Sequence, residues 1–189
     1  MTNKKQICAL QAECELPTKL NRLYTQRAAS INSVTVAQVT LAPNLEAASD
    51  GAVVSEASLL FFLSNYIDDD HRRVLGTLYR QQSRLIREFA DLFGGEVPPT
   101  EAEIEHFRQD LRDNAVLTAE TFLGAVPNLR AVRERVHAIN VAIARSWADI
   151  VVYLGAGDFG PAEVELIVQN ELQSKWADLL AHGLAAPVI

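Results

Sequence analysis

Apolar residues recur at threes and fours along most of the chain beyond its first quarter. The clearest run is Leu129, Val132, Val136, Ile139, Ile143, Trp147, Ile150 and Leu154. Strands alternate every second residue, so this spacing predicts one long helix over 129–154. Val141, Val151 and Val152 lie off the main stripe. A helix that is apolar on two faces has neighbours on two sides, which makes this one central. "GAGDFGP" at 155–161 turns the chain, and Pro161 suits the first position of a last helix carrying Val164, Ile167, Val168, Leu172, Trp176, Leu179 and Leu180.

Upstream, the same periodicity predicts a short helix near 55–65 and a long one over 68–93, with Asp68, Asp69 and Asp70 at the end where the helix dipole favours acid. "GGEVPP" at 94–99 stops it. A helix from Thr100 to about 115 and a shorter one to about Leu123 follow, before Pro127 breaks the chain. Residues 1–54 read differently, with Pro17, Pro43 and Gly51 as breakers and a β-branched stretch, "INSVTVAQVTL" at 31–41, that suits either a poor strand or a helix. The expectation is an all-α fold, a bundle of about six helices over 55–189, with 1–54 as an irregular N-terminal arm.

Composition narrows the function. The chain has 189 residues, enough for one domain with a real core, and its 49% hydrophobic and 22% charged residues are those of a globular protein. The longest apolar run, "ASLLFFL", is too short to span a bilayer, and the start "MTNKKQICALQAEC" has no apolar segment with a cleavage site, so a cytoplasmic location without membrane insertion is expected. Cys8 and Cys14 match neither a zinc knuckle nor a redox CxxC; free thiols are expected, with a local disulfide left open. A net charge of −7 argues against nucleic acid, whose binders present a basic face.

Little in the sequence looks like chemistry. Glu103 and His106, and again Glu134 and His137, have the Glu-x-x-His spacing of di-iron bundles. Thr100 and Glu103, however, form a capping box, and His106 points away from the stripe of Ile104, Phe107, Leu111 and Ala115, so it should be solvated. His137 flanks the central helix, where Glu134 can pair with Arg130. "DDDH" at 68–71 reads as a solvated helix start, "GAGDFG" as a turn that fails GxGxxG, and His182 as a cation at a helix C-terminus. Asn140 is the exception. It interrupts the apolar stripe, and a buried amide needs a partner: a neighbouring protein group or a ligand.

Four stretches carry a resemblance. "YIDDDHRRVLGTLYRQQSRLIREFADLF" (66–93), "FLG" (122–124), "VRERVHAINVAIARSW" (132–147) and "GPAEVELIVQNELQSKW" (160–176) resemble segments of the protoglobin and globin-coupled sensor family. The resemblance implies a globin-like fold with a pocket for haem or another small ligand between the helices near 104–123 and 129–154. It makes His106, Leu117, Phe122, His137, Asn140 and Trp147 the candidate pocket residues. Asn140 takes the place of a family histidine. Leu117, or Asn114 when the match runs from the preceding helix, stands where the haem-ligating histidine belongs, and neither is a usual ligand of haem iron. A homodimer through 129–154 and 161–182 is also implied.

The expected function is that of a non-enzymatic sensor or regulatory domain. It is expected to bind a small ligand or, with its output supplied by another chain, to signal through protein partners. The alternative is a haem-free adaptor or assembly subunit using "LLFFL", the N-terminal arm and the tail "AAPVI" as contact surfaces. A di-iron enzyme ranks third because of the facing of His106.

Overall fold

The computed structural model describes residues 4–95 and 97–185, with side chains from Glu15 onward. Six α-helices build an all-α bundle, and there is no strand among the described residues. They are α1 (Lys4–Val39), α2 (Leu45–Leu63), α3 (Asp69–Phe93), α4 (Glu101–Ala125), α5 (Arg133–Ala156) and α6 (Phe159–Ala185), with a 3-10 turn at Pro127–Val132 before α5.

The irregular N-terminal arm is a correction. Residues 4–39 form one of the longest helices, and the boundary expected at 54/55 falls inside α2. Leu16, Leu20, Tyr24, Ala28, Ile31 and Val34 are all buried. They recur at threes and fours, so α1 has a core-facing stripe after all. Its helix-breaking signals are outweighed: Pro17 removes one ladder hydrogen bond without ending the helix, and tertiary packing supplies most of the stability of helices in proteins. The β-branched segment at 31–41 is helical as far as Val39, and α1 packs against α2, α3, α5 and α6.

The remaining elements follow their local chemistry. Asp68 caps α3 by accepting from the His71 amide, and Thr100 and Glu103 form the expected capping box at α4. Instead of two helices, α4 is one unbroken helix. Pro127 begins the 3-10 turn, so α5 starts at Arg133 rather than 129. Gly157 ends α5 with φ of 78°, a left-handed value that glycine adopts without the Cβ penalty of other residues. Gly155 has another reason: a Cβ there would collide with the Phe93 ring.

The stretch 127–156 is long and apolar enough to cross a membrane, yet 56% of its most apolar window is buried inside the bundle. Val136, Trp147, Ile150 and Val151 are fully enclosed, as suits a core helix between α4 and α6. The side chains of Cys8 and Cys14 and the residues 186–189 of the apolar tail lie outside the described residues.

Leu20 tests the role of α1. Its side chain is completely buried, so Leu20→Ala should cost about 2–5 kcal/mol in denaturant unfolding. A residue on a solvated arm would change stability by no more than about 0.5 kcal/mol.

Candidate functional site

The six expected pocket residues do not converge. Leu117 is 54% exposed, and the His106 side chain is 79% exposed, with its Nε2 3.6 Å from Asp110. His137 Nε2 lies 2.8 Å from Glu120 Oε1, and Arg133 joins the same carboxylate. Burial would raise the Glu120 pKa, but the hydrogen bonds of Arg133 and His137 outweigh it and lower it. Arg130 does not pair with Glu134; its Nε donates to the Leu123 carbonyl at 3.2 Å. The acids of "DDDH" are occupied by His71, Arg72 and Arg73 one turn on. Between α4 and α5 lies a cleft of about 410 Å3 lined by Glu105, Arg108, Gln109, Arg112, Val141, Arg145 and Asp149. It holds none of the expected residues, and Arg108 and Arg145 both pair with Asp149.

Phe122, Asn140 and Trp147 are buried, in a polar knot at the centre of the bundle. Phe122 packs edge-on against Trp176, their ring centres 5.0 Å apart. Asn140 Nδ2 donates to the Val136 carbonyl at 2.9 Å, so its own helix supplies a partner for the amide. Asn114, the alternative haem-ligand position, donates to the Leu78 carbonyl at 3.0 Å.

At the heart of this knot is Arg27, which the sequence reading missed. Its guanidinium is buried. It lies 4.2 Å from the Tyr79 ring centre and 5.3 Å from that of Trp147, and its Nη2 donates to Gln82 Oε1 at 2.9 Å. Tyr24 and Tyr79 hydroxyls meet at 3.2 Å. Burial, then the neighbouring Tyr79, holds the Tyr24 phenol well above its ordinary pKa. Desolvation lowers the pKa of Arg27, which even so stays protonated, as arginines in proteins do. The signal in the sequence was a basic residue on the α1 stripe, legible only once α1 is known to be a helix.

The space left in this knot is about 20 Å3, room for about one water molecule. Sites for drug-sized ligands run to roughly 300–1,000 Å3. With Leu117 and His106 on the surface and Asn114 bonded to backbone, these residues do not fit haem.

A site of ligand size lies elsewhere, in a groove of about 400 Å3 between α1, α2 and α3. Ile31, Val34, Leu60 and Ile86 give it an apolar floor, and Ser49, Ala52 and Ala57 leave it open because they are small. Arg80, Arg84 and Arg87 line it from α3, at spacings of four and three that put them on one helix face. Arg80 donates to Thr77, Arg84 Nε is 3.8 Å from Glu88, and Arg87 has no ion-pair partner among the described residues. Glu56 enters from α2. Burial raises its pKa, an effect that Arg27 and then Arg80 oppose without cancelling.

Comparison of the chain with protein-family models, with curated proteins and with solved structures finds no match.

Two outcomes follow. Haemin titration should give no saturable, stoichiometric Soret band, and His106→Ala and His137→Ala should leave the spectrum unchanged; a band lost in either variant contradicts the placement of these residues. For Glu56, the raised native pKa means that the folded state disfavours the ionised form. No penalty exists below the unfolded value of roughly 4.3, and the full penalty applies above the native value. Glu56→Gln should therefore gain stability relative to the natural protein as pH rises from about 4 toward neutrality, a trend that paired thermal melts would record.

Proposed function

We propose that this chain is a non-enzymatic regulatory domain of globin-like build, acting in the cytoplasm, that binds a small acidic amphiphile in the α1–α2–α3 groove. One observation carries the reading: an apolar floor beneath a row of arginines in a space of about 400 Å3. The floor suits a hydrocarbon body. The arginine row suits a carboxylate or similar head, since guanidinium forks bind such groups in a planar, bidentate way. The globin-like part rests on the four resembling stretches, and the haem that they imply gives way to a ligand at a different place. Ligand entry between α2 and α3 would shift helix packing, and partners would read that shift.

A second reading, the adaptor, is favoured by α6. Phe159, Val164, Ile167 and Val168 are exposed along it, whereas α5 is enclosed by α1, α3, α4 and α6. A homodimer or a protein partner would therefore use α6 rather than α5.

Calorimetric titration with decanoate and with decanol separates the two. The groove reading expects saturable decanoate binding, at least about tenfold tighter than decanol, the size of effect one charge-assisted contact gives. Arg84→Gln with Arg87→Gln should erase that preference, and Ala52→Trp should block both ligands by filling the groove. Saturable binding of neither compound sinks the groove reading and leaves the α6 surface as the functional one.

A further inference from the structure

Arg27 and Trp147 line the same small cavity in the core. Arg27 Nε and Trp147 Nε1 are donors only, both are shut off from solvent, and neither has an acceptor among the described residues. Arg27 is 3% exposed and Trp147 1%. Two unpartnered N–H groups on residues that line one void are two unmet demands for negative charge or a lone pair.

Among the described residues, no carboxylate contacts the guanidinium either. Gln82 offers a neutral oxygen and Tyr79 a ring face. Glu56 does act on Arg27 through space, but it lines the groove rather than this cavity and so offsets the charge only from a distance. A charge without a contacting counter-charge in a dry interior is costly enough that proteins pair it.

The cavity, at about 20 Å3, admits one particle near the size of water and excludes phosphate, sulfate or a carboxylic acid. A water molecule would accept from both N–H groups and leave the charge unmatched. A halide does both.

We propose that the core cavity beside Arg27 and Trp147 is a binding site for a single monatomic anion, chloride under ordinary conditions, held by Arg27 Nε–H and Trp147 Nε1–H. The anion neutralises the buried guanidinium and ties α1 to α5. This site is separate from the groove in position and ligand class.

The test uses the full chain in two measurements. Crystals grown in bromide should show an anomalous peak in the cavity, within hydrogen-bond distance of both donors. Thermal melts at constant ionic strength should show a higher Tm in chloride than in gluconate. Trp147→Phe keeps the ring packing and removes one donor, so it should raise the chloride concentration at half effect about tenfold. Arg27→Met should lose the chloride response altogether; should it fail to fold, Trp147→Phe and the bromide map decide. Equal melts in the two salts, together with a water in the cavity or bromide only at the surface, would overturn the proposal.

Discussion

The structure turns on one buried cation. Arg27 projects from α1 between Tyr79 of α3 and Trp147 of α5, and its hydrogen bond to Gln82 ties it a second time to α3. A guanidinium in a dry core is costly, and stacking on aromatic faces with one good acceptor offsets only part of that cost. The arrangement is nevertheless specific. Sliding α1 by one turn would move Arg27 away from both rings and put an apolar residue in its place, so the cation fixes α1's register, as a buried polar residue does in coiled coils.

That constraint explains why the bundle has no room for a large cofactor at its centre. Tyr24, Tyr79, Gln82, Thr118 and Gln173 fill the space around the guanidinium, and each polar group added there needs a partner of its own. A porphyrin would have to displace the aromatic pair that shields Arg27 and leave the charge against an apolar ring system. The core is organised around a charge rather than around a large cofactor, and the space for a larger ligand lies at the surface, where α2 contributes small side chains.

Much of this was legible in the sequence. Strong periodicity located α3, α5 and α6, and the capping box and Pro127 marked the limits of α4. The first quarter was misread because local signals pointed the wrong way. Pro17 and the run of β-branched residues lower intrinsic helix propensity, and propensity is outweighed when a buried stripe packs on several neighbours. Missing α1 meant missing the site as well, for Arg27 reads as a surface charge unless Tyr24, Ala28 and Ile31 are recognised as its companions on a helix. Asn140 was located correctly as a buried amide, but its partner is its own helix's Val136 carbonyl, an ordinary local solution that the sequence does not distinguish from a ligand.

Glu56 joins the two regions. It acts electrostatically on Arg27 in the core and on Arg80 in the groove, while burial pushes it toward its neutral form. An anion arriving at the groove arginines therefore does more than fill space. Its charge repels the Glu56 carboxylate and competes with it for Arg80, which further favours protonation of Glu56. Once neutral, Glu56 no longer offsets the charge of Arg27, and the balance at the centre of the bundle changes without any side chain there touching the ligand. The coupling runs both ways, as linkage requires: whatever neutralises Arg27 from inside weakens its hold on Glu56 and frees that carboxylate to respond to the groove.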